Sequence, residues 1–373
     1  MMRTDCVHFP LDRPCVFHKK NGQLCDTCGQ YRAVRSPAGA PPNILIIKLG
    51  AMGDVLRTTF LLPGIKEVWP GARITWLVAA GSEPILEGNP HLARIWPMDK
   101  TVYGKLAAER FDVVINLDLS PESLLLARAA PAARRIGFTL DDARQIRCSN
   151  STARRWLAMS SNDVVKKQNT ATFQHWMARI VGLPREDYEI FTPLAPTAVK
   201  KAAAFARNNG LVNKTVIGIN PGAGARWKLK RWTTRGYQAL IRRLTADGYA
   251  VILLGGRDEN ALVSTLARRQ SGTVVNGGTE NTLPDFFALL NLCDMLITGD
   301  TLALHAALGL KKKVVALFGP TSAPEIALYG RGVKVVSPRD CICCYRQVCD
   351  VTPTCMDVIT TDSVEQAVRQ CLS

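Results

Sequence analysis

The chain has 373 residues, 47 % of them apolar, enough for two domains with real cores. Its 47 Lys and Arg against 31 Asp and Glu give a formal net charge of +16, so the expected partners are anionic: nucleic acid, a phosphorylated substrate or an acidic membrane surface. No apolar run reaches membrane-spanning length, and Met1 to Tyr31 is too polar and cysteine-rich for a signal peptide. These features speak against a membrane-spanning or exported chain and make the cytosol the expected compartment. The basic residues are scattered and aromatics are few, which speaks against a dedicated nucleic-acid binder.

In chain order, residues 1–35 form a polar segment carrying Cys6, Cys15, Cys25 and Cys28. Ser36-Pro37-Ala38-Gly39-Ala40-Pro41-Pro42 reads as a linker, because proline and glycine punctuate it and no apolar period survives. From Asn43 onward, continuous apolar runs alternate with amphipathic stretches. The expected strands are Ile44–Ile47, Ile74–Val78 and Val113–Leu117 in a first block, residues 43–193. A second block, residues 197–373, follows Pro193-Leu194-Ala195-Pro196, with strands at Val216–Asn220, Ala250–Leu254, Met295–Thr298 and Val314–Phe318. This rhythm implies right-handed βαβ units, hence two doubly wound α/β domains facing each other across a cleft, with ligands at the carboxyl ends of the strands.

The first strand runs into Lys48-Leu49-Gly50-Ala51-Met52-Gly53-Asp54. Glycines before a helix usually cradle a phosphate, yet here the helix start carries a carboxylate, which repels one. Helix N–H groups keep such a group ionised, so Asp54 fits a general base, and it fits an ordinary helix cap equally well.

The second block offers glycine turns after four strands. Asn220-Pro221-Gly222-Ala223-Gly224-Ala225-Arg226 is followed by Lys228, Lys230 and Arg231. These are small residues for close approach and cations for a diphosphate, with a solvated basic loop and core-packed Trp227 and Trp232 as the alternative. Gly255-Gly256-Arg257-Asp258-Glu259 offers an acid for ribose hydroxyls or a cap. Gly299-Asp300-Thr301 opens a helix whose N–H groups can meet a phosphate, with His305 about one turn in on an apolar face. Gly319-Pro320-Thr321 closes the last expected strand.

Met52-Gly53-Asp54, Asn220-Pro221-Gly222, Lys230-Arg231-Trp232, Gly299-Asp300-Thr301 with His305, and Gly319-Pro320-Thr321 together resemble glycosyltransferase family 9, from about Asn43 to the C-terminus. These are the bacterial ADP-heptose:lipopolysaccharide heptosyltransferases. The resemblance implies a GT-B fold, with the acceptor on the N-terminal Rossmann-like domain and the nucleotide sugar on the C-terminal one. It also implies inverting, metal-independent transfer to an anionic glycolipid at the inner membrane surface, with no catalytic cofactor and no nucleic-acid partner. Asp54 then matches the base and Lys230 the donor-phosphate lysine. The expected donor site comprises Gly222, Gly224, Arg226, Glu259, Asp300, Thr301, His305, Gly319 and Thr321. Leu302 stands where the family often has glycine. The sequence contains no Asp-x-Asp pair of the kind that holds a catalytic metal in many glycosyltransferases, so cations and helix N-termini are left to offset the leaving-group charge.

The cysteines stand outside that picture. Cys6, Cys15, Cys25 and Cys28 precede the catalytic body, and Cys341, Cys344, Cys349 and Cys355 follow it, with Cys343 as an extra. Each set contains a Cys-x2-Cys pair, which presents two thiolates to one tetrahedral ion. The N-terminal set is expected to hold a structural metal, zinc ahead of an iron–sulfur cluster; the C-terminal loop 341–355 is a second candidate, and both sets joining in one site is a third arrangement. Two other functions remain open at this stage: a GT-B sugar-nucleotide epimerase needing no acceptor, and a metal-finger protein binding nucleic acid.

Overall fold

The computed structural model describes residues 6, 8, 10, 13–32, 41–268 and 272–373. The chain divides into two compact units, Met1–Pro42 and Asn43–Ser373. In the first, helix α1 (Val16–Asn21) is capped by Cys15 and closed by Gly22 in the left-handed conformation, and a short 3-10 turn covers Cys25–Thr27. Most of the expected linker, Ser36–Ala40, lies outside the described residues.

The second unit contains two six-stranded sheets. The first is built from β1 (Asn43–Ile47), β2 (Arg73–Ala79), β3 (Arg94–Met98), β4 (Phe111–Asn116), β5 (Ala132–Leu140) and β6 (Ile146–Cys148) in the order β3-β2-β1-β4-β5-β6. All its pairs are parallel except β5–β6. In its centre Ile46 lies opposite Trp76 on one side and Ile115 on the other. The second sheet is wholly parallel: β7 (Val216–Asn220), β8 (Ala250–Leu253), β9 (Val274–Asn276), β10 (Met295–Gly299), β11 (Lys313–Phe318) and β12 (Gly332–Val336), in the order β12-β11-β10-β7-β8-β9. All seven expected strands are present within one or two residues of their expected ends.

Helices fill the crossovers. In the first half they are α2 (Met52–Thr58), α3 (Leu61–Val68), α4 (Val102–Ala108), α5 (Pro121–Ala129), α6 (Ser151–Ser161), α7 (Asp163–Lys167) and α8 (Phe173–Val181). In the second they are α9 (Pro196–Asn208), α10 (Thr234–Ala246), α11 (Asn260–Ala267), α12 (Leu283–Asn291), α13 (Leu302–Gly309) and α14 (Thr361–Leu372). No helix among the described residues is long and apolar enough to cross a membrane.

The two halves share one core, and each keeps a smaller apolar cluster of its own. One continuous apolar cluster takes in Ile46 and Leu56 from the first half and Ile252 and Leu304 from the second. The connector between them is pinned on both sides: Phe191 N–H donates to Thr59 Oγ1 at 3.0 Å, and Thr192 Oγ1 donates to the Ala306 carbonyl at 3.1 Å. The approach is close enough that a Cβ on Gly309 would sit 2.2 Å from Thr192 Oγ1. Burial on this scale fixes the mutual position of the sheets, because packed interiors resist sliding.

Candidate functional site

The wall contributed by the first half begins where β1 ends. Lys48 pairs with Asp118 and donates to the Gly50 carbonyl at 2.8 Å, and Asp118 Oδ2 accepts from Leu49 N–H at 2.5 Å. These bonds hold the turn that feeds α2. The N-cap of α2 is Ala51, which offers no side-chain bond, so Asp54 is not the cap but the third residue of the helix, reaching back to the Ala51 N–H. Its Oδ1 lies 2.8 Å from Arg57 Nη2, and 37 % of its side chain is open to solvent. Gly53 lets α2 approach α13: a Cβ there would stand 3.2 Å from His305 Cδ2 and 3.5 Å from Leu302 Cα. The helix carrying Asp54 and the helix carrying His305 therefore touch across the two halves.

The opposite wall is the rim of the second sheet. Lys230 Nζ donates to Asp300 Oδ2 at 3.1 Å and to the Asp300 carbonyl at 3.0 Å, leaving one of three ammonium donors for a ligand oxygen. Thr301 caps α13 without using its side chain for the helix; its Oγ1 is bonded to Thr298 Oγ1 at 3.1 Å instead. The first N–H groups of α13 are thus left facing the cleft. Glu259 is buried and braces both glycine turns, accepting from Gly224 N–H, Gly256 N–H and Arg231 Nη2, each at 3.1 Å. Gly222 is glycine for that reason: a Cβ there would lie 2.1 Å from Glu259 Cγ. A carboxylate of the protein itself thus fills the Cβ side of Gly222, while the residue still lines the cleft.

Between the walls lies a cleft of about 630 Å³, the size of a small-molecule site. Of the residues singled out by the sequence, Asp54, Gly222, Gly224, Lys230, Glu259, Asp300, Thr301 and His305 line it. Arg226, Gly319 and Thr321 do not. Arg226 is exposed, with its guanidinium 5.3 Å from the Trp227 ring. Thr321 is buried, and Gly319 packs beneath Cys355, whose Sγ would lie 2.6 Å from a Cβ there. The two tryptophans part company: Trp232 is a core residue donating its indole N–H to the Ile359 carbonyl at 2.9 Å, whereas Trp227 lines the cleft. Residues not foreseen are Arg57, Trp156, Lys166, Glu325 and Tyr345. Arg57 had a signal in its spacing, one turn after Asp54; Glu325 and Tyr345 come from loops with no periodic pattern.

The charges in the cleft are coupled. Enclosure pushes the Asp54 carboxyl up, but Arg57, Lys48, His305 and the Ala51 N–H outweigh it, so its pKa lies below the usual carboxylate value. Asp300 behaves alike, with Lys230 foremost among the groups that overcome burial. Burial, then Arg57, lowers His305 to about 4 against the pull of Asp300 and Asp54, so the imidazole is neutral at physiological pH. Glu325 goes the other way: burial raises its pKa despite Arg57.

The C-terminal cysteine loop reaches this cleft. Cys343 N–H donates to the Gly319 carbonyl at 3.0 Å and Tyr345 N–H to the Pro320 carbonyl at 2.8 Å, while the Tyr345 hydroxyl accepts from Ser322 N–H at 3.2 Å. Behind it the thiols gather: Cys355 is pushed up to about 11 by burial and by Cys344, Cys341 and Cys349. Among the described residues no three His, Cys, Asp or Glu side chains stand as a ready-made metal site, so neither cysteine set is preformed around an ion.

Two Rossmann-like domains with a carboxylate on one wall and a lysine at the sheet rim on the other make up the GT-B arrangement of a glycosyltransferase. A family model described as glycosyltransferase family 9 (heptosyltransferase) matches residues 101–354, more than half of the chain, and the chain belongs to that family. It is 24 % identical over 303 residues to the lipooligosaccharide heptosyltransferase 2 of Haemophilus influenzae, covering 75 % of this chain and 84 % of the relative. Its fold is similar to the family 9 glycosyltransferase of Veillonella parvula, with TM-score 0.75, 19 % identity and coverage of 89 % and 97 %. The ADP-heptose lipopolysaccharide heptosyltransferase II of Escherichia coli is also similar, with TM-score 0.64, 20 % identity and coverage of 88 % and 98 %.

Proposed function

We propose that this glycosyltransferase moves a heptose from ADP-heptose to a lipopolysaccharide-core-type acceptor, with inversion and without a catalytic metal. The observation that carries the reading is the opposition of Asp54 on α2 to Lys230, Asp300 and the α13 N-terminus across one cleft. The acceptor binds the first domain, residues 43–193, and the nucleotide sugar the second, residues 197–373. Asp54 takes the proton of the acceptor hydroxyl as its oxygen forms a bond to the anomeric carbon. The bond from that carbon to the diphosphate oxygen breaks on the opposite face, and the ADP leaves. Lys230 and the α13 N–H groups receive the charge that develops on it. Attack and departure from opposite walls invert the centre, by the same geometric logic that governs carboxylate placement in glycosidases. Glu259 holds the glycine turns that shape the nucleotide pocket, and Asp300 and His305 face the sugar.

The acceptor's anionic character suits the net charge of +16. Exposed Arg154, Arg155 and Lys167 on α6 and α7 add local attraction for an acidic lipid surface. This reading makes the chain a cytoplasmic enzyme working at the inner membrane face. The test is a thermal-shift screen of ADP-, UDP- and GDP-sugars followed by transfer to core-type acceptors. Stabilisation by ADP-heptose with product formation only in the presence of acceptor is the expected result. Donor consumption without acceptor would point to an epimerase-like enzyme instead.

A further inference from the structure

The unit Met1–Pro42 is compact, yet its described residues form no apolar core: none of them is buried, and the aliphatic side chains among them face outward, with Val16 74 % and Leu24 65 % exposed. Sulfur faces inward instead: of the eight described residues between Cys6 and Arg32 that are not exposed, four are Cys6, Cys15, Cys25 and Cys28. All four line a single cavity of about 30 Å³, walled on other sides by His8, Phe17, Gln23 and Tyr31. A unit this short does not bury enough apolar surface to hold itself together, and chains of about 40 residues rely on disulfides, a metal or a partner. No disulfide joins any cysteine among the described residues.

Cys25 and Cys28 bracket the 3-10 turn, with Cys28 N–H donating to the Cys25 carbonyl at 3.4 Å, which turns both side chains to one side. The Cys15 sulfur accepts the His18 N–H at 3.5 Å, a bond that strengthens when the sulfur is charged. The cavity is small, about 30 Å³ between the four thiols, which suits a single ion.

We propose that Cys6, Cys15, Cys25 and Cys28 bind one zinc ion as a tetrathiolate, and that this ion does for the N-terminal unit what an apolar core does elsewhere. The thiols stand on the cavity walls, and ligation turns them inward to about 2.3 Å from the metal. Each ligating thiol gives up its proton to solvent, so binding strengthens as pH rises.

The test uses the full chain, purified without chelators, as wild type, as the Cys25→Ser/Cys28→Ser double variant, and as Cys148→Ser for a control. Because the C-terminal thiols are able to take metal too, the quantity read is the difference in zinc per chain. The expected result is one zinc fewer in the double variant, no change in the control, and cobalt replacement giving a tetrathiolate charge-transfer band that the variant lacks. Limited proteolysis should then remove the N-terminal unit from the variant and leave a nucleotide-binding fragment intact. Equal metal in wild type and variant would overturn the proposal. So would disulfides among the four cysteines in wild type, or an iron–sulfur absorption lost with the variant.

Discussion

Arg57 Nη2 stands 2.8 Å from Asp54 Oδ1, three residues along the same helix, and the pair faces the cleft. The guanidinium also has its Nε without a hydrogen-bond partner and its plane over the Phe173 ring at 3.8 Å. It therefore sets the charge state of two carboxyls from one fixed position: it holds Asp54 down and works against the burial that raises Glu325. A base with a lowered pKa is weaker as a proton acceptor but ionised at every working pH.

Asp54→Asn tests the base. The amide keeps an oxygen for the Ala51 N–H but takes no proton, so turnover should fall by roughly 10²–10⁴-fold while ADP affinity, which depends on the other wall, is kept. Because the folded pKa of Asp54 lies below its ordinary value of 3.8, the carboxylate's contribution to stability is complete above that pH and lost as pH falls through the folded pKa. The wild-type rate should accordingly show no acidic limb from Asp54 above about pH 4. Near-normal turnover of the variant in steady-state assays would make the residue structural.

Arg57→Gln should move that limb into view. Removing the guanidinium takes away the largest opposing charge at Asp54, so its pKa rises and the rate begins to fall at a higher pH than in wild type. Glu325 should titrate higher as well, since it loses its principal counter-charge. A pH–rate profile that coincides with wild type would mean that Arg57 does not govern the base.

Lys230→Ala probes the donor wall. Loss of one charge-assisted bond to the diphosphate should cost about 1.5–3 kcal/mol, roughly ten- to a hundred-fold in ADP affinity by calorimetry. The pKa of Asp300 should rise, because Lys230 is the leading charge holding it down. Undiminished ADP binding would remove Lys230 from the phosphate site.

The central strands were legible because they are buried on both faces and read as unbroken apolar runs, as in Ile44-Leu45-Ile46-Ile47. The strands that escaped are β3, β5, β6, β9 and β12: β5 lies next to a sheet edge, and the other four form the edges, carrying Pro97, Arg147, Asn276 and Lys334 where a period would be sought. Site residues were legible where a strand, a glycine and a polar helix start coincide, as at Gly53-Asp54 and Gly299-Asp300. Glu325 and Tyr345 were not, because only tertiary packing brings their loops to Arg57. Gly222 shows that a glycine makes room for a side chain of the protein as well as for a ligand, since Glu259 fills its Cβ position while the residue lines the cleft.

Gly222→Ala turns that difference into a measurement. A methyl group there would lie 2.1 Å from Glu259 Cγ and 2.6 Å from its Oε1, which forces the carboxylate aside. Glu259 is buried and joins three donors, Gly224 N–H, Gly256 N–H and Arg231, so its displacement loosens both glycine turns at once and leaves Arg231 without this partner. The destabilisation should be about 2–4 kcal/mol, the range for breaking a buried charged network. Nucleotide affinity should fall with it, although no atom of Gly222 need touch the ligand. Gly224→Ala makes the contrast: nothing lies within 4 Å of its Cβ position, and the cost there comes from φ of +69° alone. Thermal melts with and without ADP separate the two. If Gly222→Ala binds ADP as wild type does at a lower Tm, Glu259 braces the fold without shaping the nucleotide site.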